Sequence, residues 1–64
     1  MSDRDERLRL AQSVRAACLE AARTAYETGG YGGLCAEGRW ELVLDALRSL
    51  PLESLVASKD EPSP

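Results

Sequence analysis

The amino-acid sequence predicts an all-α protein: an antiparallel helical hairpin with a short third helix, which we expect to dimerise into a four-helix-bundle-like core. All five glycines lie within residues 29–38, and apolar residues recur at helical spacing on both sides of that segment. The chain has only 64 residues. At that length a single core seldom contributes more than about 3–5 kcal/mol, so support from a second chain is expected.

The first predicted helix covers residues 4–28. Asp3 or Asp5 can cap its N-terminus, where the helix dipole favours negative charge. Leu8, Leu19 and Tyr26 widen an apolar face whose other members are mostly small: Leu10, Ala11, Val14, Ala17, Cys18, Ala21, Ala22 and Ala25. Because these side chains are short, the face allows another helix to approach closely and requires bulky side chains from it.

The glycine-rich segment predicts the chain reversal. Glycine is less favourable than alanine in a helix by about 1 kcal/mol, so two Gly-Gly pairs in close succession should stop the first helix. Gly29 is predicted as the left-handed residue that ends it, and Gly33 as the N-cap of the next. A phosphate-binding loop is excluded, because it needs a preceding strand and a Lys-Ser/Thr pair after the glycines.

The second predicted helix covers residues 34–50, and its apolar seam comprises Ala36, Trp40, Val43, Leu47 and Leu50. Trp40 is expected to fill the space beside the alanines of the first helix. With neighbouring apolar positions included, the apolar arc spans roughly 200°, about twice that of an ordinary surface helix. One partner helix cannot cover this arc, and the expectation of a dimer follows from it.

Leu50-Pro51 ends the second helix, since the residue before a proline is pushed out of the α region. The spacing of the apolar residues that follow predicts a short third helix over 51–57, with Pro51 in its first turn. Residues 1–57 therefore form a single domain. The polar, proline-ended segment 58–64 predicts a disordered tail.

Charge and hydropathy exclude several classes of partner. Eleven acidic residues against eight basic ones give a net charge of −3, which has the wrong sign for a protein that binds a nucleic-acid duplex. No apolar run approaches the roughly 18 residues of a membrane span, and the charged first residues do not resemble a signal peptide. Two cysteines without a secretion signal favour a cytoplasmic location.

Cys35 is the candidate reactive thiol. It falls in the first turn of the second predicted helix, where the dipole and free amides lower a thiol's pKa. The chain has no histidine to act as its base and no second cysteine at CxxC spacing. Cys18 is expected to be a small buried residue about 13 Å from Cys35 along the hairpin, too far for a disulfide. The sequence therefore predicts no enzyme, no cofactor and no metal site.

Glu37, Glu41 and Asp45 lie four residues apart and line one edge of the second predicted helix. We interpret this acidic edge as a solvated surface with an ion pair between Asp45 and Arg48. Docking of a basic partner is the alternative. A carboxylate metal site is less favoured, because the usual Glu-x-x-His pattern is missing.

The function predicted from these features is that of a small non-enzymatic protein–protein interaction module: a homodimeric adaptor, an inhibitor, or an assembly or regulatory subunit. Its partner is itself or a larger protein. The candidate interface residues are Tyr31, Arg39, Trp40, Leu42, Val43, Leu47 and Leu50. Two alternatives stay open. One is a thiol- or small-ligand-binding protein that uses Cys35 and the amides of Gly29–Gly33; the other, weaker, is a component of a DNA-binding regulator.

Overall fold

The computed structural model describes residues 2–60, with side chains described up to residue 57, and in that range it contains three helices and no strand. Helix α1 spans Asp3–Tyr31, α2 spans Ala36–Arg48 and α3 spans Leu52–Asp60. Helices α1 and α2 are joined by the short segment 32–35 and pack against each other as an antiparallel hairpin, while α3 contacts α1. The predicted all-helical fold and the packed hairpin are confirmed.

Ser2, and not Asp3 or Asp5, caps the first helix. Its hydroxyl accepts a hydrogen bond from the amide of Asp5 at 3.2 Å, which satisfies one of the amides left free at a helix start. The acidic residues of the predicted cap lie instead in the first turn. There they interact favourably with the helix dipole.

The predicted end of the first helix is wrong, because α1 continues through Gly29 and Gly30 to Tyr31. Gly33 is the one described residue with a positive φ, 79°. The amides of Gly33 and Leu34 donate to the carbonyls of Gly30 and Gly29 at 3.1 and 2.9 Å. These two bonds form a Schellman motif, so the left-handed residue that ends α1 is Gly33, four residues later than predicted.

The boundaries of α2 and α3 also differ from the prediction. Cys35, not Gly33, is the N-cap of α2, since Gly33 already ends the preceding helix. Helix α2 ends at Arg48, two residues before its predicted end, and Ser49 is its C-cap. Helix α3 includes residues 58–60, the first part of the predicted tail. The rest of that tail, residues 61–64, lies outside the described residues.

Gly29 lies where α1 and α2 approach each other closely. It is buried, and a Cβ atom added to it would lie 3.0 Å from Cγ of Arg39 and 3.1 Å from Cδ1 of Leu42. A side chain at this position would therefore hold the two helices apart. The helix passes through Gly29 because packing against α2 offsets the weak helix propensity of glycine.

The core between the helices is thin. The inward face of α1 is only half-buried and comprises Leu10, Ser13, Val14, Ala17, Cys18, Ala21, Ala22 and Ala25. It differs from the predicted face, because Ser13 is included and the predicted members Leu8, Ala11, Leu19 and Tyr26 are exposed. On α2 the buried or half-buried side chains are Arg39, Leu42, Val43, Leu44 and Ala46, and Leu50 is half-buried just after the helix ends. Val43, 7% exposed, is the single buried hydrophobic side chain of the described part of the chain.

The predicted burial of Trp40 is wrong, since 57% of this residue is exposed. The inward row of α2 runs through Arg39 and Ala46, and not through Trp40 and Leu47. Val43 and Leu50 belong to both sets, so compared with the predicted seam the inward face of α2 is turned by about 60°. The rotation brings Arg39 against Gly29 and Gly30, where no β-carbon blocks its approach.

The hairpin is elongated. At 1.5 Å per residue α1 is about 44 Å long and α2 about 20 Å, so α2 covers less than half of α1. The longest dimension of the protein is 47 Å and its radius of gyration is 14.9 Å, against about 11 Å for a compact chain of this length. Much of the helix surface therefore has no other part of the chain packed against it.

Candidate interaction surface

Arg39 fixes α2 against the C-terminal end of α1. Its Nε donates a hydrogen bond to the carbonyl oxygen of Tyr26 at 3.0 Å, and its guanidinium carbon lies 3.7 Å from the centroid of the Tyr26 ring. Such a cation–π contact contributes about 0.5–1 kcal/mol at an exposed site. The arginine thus interacts with its own chain, and both interactions set the register of the hairpin.

Two rows of exposed apolar side chains flank this contact. Leu19 and Tyr26 form one row on α1, and Trp40 and Leu47 form the other on α2. Each pair is seven residues apart, close to two helical turns, so its members lie one above the other. Their exposed fractions are 60%, 44%, 57% and 36% respectively, which leaves both rows accessible to another molecule.

Both rows lie on the same side of the hairpin. The α1 row follows the inward residues Cys18 and Ala25 by one position, and the α2 row follows Arg39 and Ala46 by one position. Each row is therefore turned by about 100° from its contact line in the same sense along the chain. Because α1 and α2 are antiparallel, this rotation brings the two rows to one surface. We call this surface, made of Leu19, Tyr26, Trp40 and Leu47, the Trp40 face.

The structure divides the candidate interface residues into two groups. Val43 is buried, and Arg39, Leu42 and Leu50 are half-buried; Arg39 and Leu42 lie against Gly29 of α1. Tyr31, Trp40 and Leu47 are exposed. Leu19 and Tyr26 complete the surface on α1, although the sequence placed neither of them in the interface. The seven-residue spacing of Leu19 and Tyr26 could have indicated that they form one row on α1.

Tyr31 stands apart from the Trp40 face. It is the last residue of α1 and is 89% exposed. Five positions after Tyr26, it is turned by about 140° from that row of α1. An interface through the Trp40 face therefore leaves Tyr31 outside.

The acidic edge of α2 is exposed. The predicted ion pair is confirmed, with Nη1 of Arg48 lying 3.3 Å from Oδ1 of Asp45, and both side chains are 68% exposed. A pair so accessible to water contributes at most about 1 kcal/mol. Within the described part of the chain, no three acidic or thiol side chains are grouped so that they could hold a metal ion.

Cys18 is half-buried and Cys35 is exposed, and neither forms a disulfide. The backbone amides of Gly38 and Glu37 lower the pKa of the Cys35 thiol below its ordinary value. Neither amide makes a well-formed hydrogen bond to the sulfur, so the effect comes from the orientation of the amides at the start of α2. Cys35 therefore ionises more readily than an ordinary exposed thiol.

Helix α3 carries a second apolar feature. Leu52 and Val56 are 55% and 38% exposed. With Glu53 and Ala57 they line a wide, open depression of about 420 Å³. An opening this wide does not enclose a small molecule as a ligand pocket does.

No described helix combines the length and the apolar character needed to cross a membrane. Comparisons with protein-family models, with curated proteins and with solved structures gave no match.

Proposed function

We propose that this protein is a small non-enzymatic interaction module that binds another protein chain through the Trp40 face. The exposure of Trp40, the sole tryptophan of the sequence, carries the proposal. Aromatic side chains bury about 150–250 Å² each and dominate the energetics of interfaces, and tryptophan is enriched at the residues that contribute most to binding. An adaptor, an inhibitor and an assembly or regulatory subunit all use such a surface.

Two features of the chain support this assignment over an enzymatic one. The sequence contains no histidine, so Cys35 lacks the usual base for a nucleophile. The exposed apolar side chains lie in rows along two helices, a pattern typical of helix-to-helix docking. The two free thiols support a cytoplasmic setting.

Affinity capture with matched variants tests the proposal. Tagged wild type, Trp40→Glu and Tyr31→Ser are expressed in the native host, and the chains retained in stoichiometric amounts are compared. We expect wild type and Tyr31→Ser to retain the same chain and Trp40→Glu to lose it. Reconstitution of the retained chain with pure wild type should then shift the fluorescence emission of Trp40. Equal retention by all three proteins would contradict the proposal.

A second candidate function rests on Cys35 alone, because Gly29 and Gly30 lie inside α1 and the amides of Gly32 and Gly33 donate to the carbonyls of Thr28 and Gly30. Its exposure and the lowered pKa of its thiol fit a site at which a small electrophile or a second thiol reacts. This use of the chain requires only the first turn of α2 and not the Trp40 face. The two candidates therefore make independent predictions.

We expect Cys35 to react with iodoacetamide faster at neutral pH in the folded chain than in the unfolded chain, because its lowered pKa increases the thiolate fraction. The variant Cys18→Ser isolates this reaction, and rates are measured against pH with and without denaturant. Since the folded-state pKa is the lower one, the linked gain in stability is present above the unfolded pKa and is lost as pH falls through the folded pKa. Identical rate profiles for the folded and unfolded chains would exclude an activated thiol.

A further inference from the structure

We infer that a second copy of this chain occupies the Trp40 face, so that two hairpins stack into a four-helix core related by a two-fold axis. This inference rests on the proposed function and specifies the partner. In such an isologous interface each copy contributes the same four side chains, Leu19, Tyr26, Trp40 and Leu47. Three observations support this partner: the accessible area, the distribution of charge and the geometry of the hairpin.

The accessible surface of the chain is 5235 Å². A folded monomeric protein of 7.0 kDa is expected to expose about 4,000 Å², so this chain exposes about 1,200 Å² more. This excess is spread along the elongated chain, and the Trp40 face supplies part of it. A two-fold dimer that covered the whole excess would bury about 2,400 Å² in total, which is the upper bound and lies in the range of homodimer interfaces. A second copy has the same excess to cover, so one interface satisfies both chains.

The distribution of charge is the second observation. Glu37, Glu41 and Asp45 lie about 60–140° around α2 from the Trp40 row, on the side away from α1. Two copies stacked through the Trp40 face therefore keep these acidic edges apart, although each chain has a net charge of −3. The charged groups nearest the face itself are cationic: the exposed Arg15 and Arg23 lie within about 60° of the row on α1, and the Arg39 guanidinium lies against Tyr26. A second copy supplies an acidic edge of its own, which the arginines approach where α1 of one copy lies over α2 of the other.

The hairpin geometry fits a two-layer stack. Antiparallel helices that each present one apolar row form a flat layer, and two such layers pack into a four-helix bundle through the facing rows. Within the chain, Val43 is the single buried hydrophobic residue of the described segment. The stack would add four large apolar side chains from each copy to that core and so provide the burial that the hairpin lacks.

Sedimentation equilibrium of the pure full chain, in the presence of a reductant that prevents coupling through Cys35, tests the inference. We expect twice the chain mass of 7.0 kDa at micromolar concentration. Trp40→Glu is expected to raise the dissociation constant at least about a hundredfold, since the change removes a central aromatic residue from both copies. Tyr31→Ser removes an exposed aromatic residue outside the face and should leave the constant unchanged.

Two further measurements keep the result decisive if Trp40→Glu is poorly folded. Leu19→Glu changes the same face from the other helix and should weaken the dimer similarly. The urea midpoint of the wild type should rise with protein concentration, as it does for a chain whose folding is coupled to dimerisation. A monomer with a concentration-independent midpoint overturns the inference, and so does a dimer unaffected by both substitutions.

Failure of this inference is distinguishable from failure of the proposed function. If the pure chain is a monomer but wild type still captures a different protein in a Trp40-dependent way, the second copy is excluded and the interaction module stands. If no captured chain depends on Trp40 and the pure chain is a monomer, both fail. Co-expression of two differently tagged copies separates these outcomes in one experiment.

Discussion

Val43→Asp is expected to abolish cooperative folding of the hairpin. Val43 is 7% exposed and lies between α1 and α2, with no described buried polar side chain beside it. An unpaired carboxylate at such a site costs several kcal/mol or forces the helices apart to reach water. A chain of this length has only about 3–5 kcal/mol of stability from its core, so the substitution removes most or all of it.

Circular dichroism during urea titration measures this effect. Val43→Asp should lose the helical signal and the cooperative transition near neutral pH. Ala36→Asp is the matched control, because it adds the same charge to α2 at an exposed first-turn position, where the helix dipole favours it. Val43→Ala should remain folded and lose about 1.5–2 kcal/mol, in proportion to the two carbons removed. A folded, fully cooperative Val43→Asp would show that this contact does not hold the hairpin together.

The number and order of the helices could be predicted from sequence because they follow from local periodicity and from the cluster of glycines. The end of α1 could not. A glycine either stops a helix or allows a close approach between helices, and its propensity of about 1 kcal/mol is small enough for a tertiary contact to override. Here the contact of Gly29 with Arg39 and Leu42 decides the outcome. The sequence did contain one indication of where α1 ends: Leu34 follows Gly33, and an apolar residue commonly follows the left-handed glycine that ends a helix.

The orientation of α2 was harder to predict, because its apolar arc is wide. Two inward-facing rows satisfy helical spacing, one through Trp40 and Leu47 and the other through Leu42 and Ala46. The periodicity of apolar residues does not decide which of the two rows packs against α1. Arg39 determines the choice, through its fit over the glycines and its contact with Tyr26. The α2 part of the candidate surface could therefore be predicted, because α2 has more apolar surface than one helix can cover. The α1 row could not, because it depends on how the two helices are rotated against each other, which only their packing determines.

The role assigned to Gly29 predicts that Gly29→Val destabilises the hairpin by about 1–3 kcal/mol, a large fraction of its stability. The added Cβ would lie 3.0 Å from Cγ and 3.4 Å from Cα of Arg39, besides 3.1 Å from Leu42. Because one of these atoms belongs to the backbone, α2 must move away from α1, and such overpacking has a cost of that size. The better helix propensity of valine offsets only a few tenths of a kcal/mol.

Gly30→Ala is the control for Gly29→Val, because it adds a side chain at the neighbouring glycine without a close contact to the backbone of α2. Its Cβ would lie 2.8 Å from Nη2 and 3.0 Å from the guanidinium carbon of Arg39, and this flexible end can rotate away. That rotation gives up the cation–π contact with Tyr26 and the hydrogen bond from Nε to its carbonyl, about 1–2 kcal/mol together, and the gain of about 1 kcal/mol in helix propensity offsets much of this loss. Urea midpoints should therefore fall strongly for Gly29→Val and only slightly for Gly30→Ala. An equal loss of stability at both positions would mean that these glycines are needed for their backbone conformation and not for the close approach of the two helices.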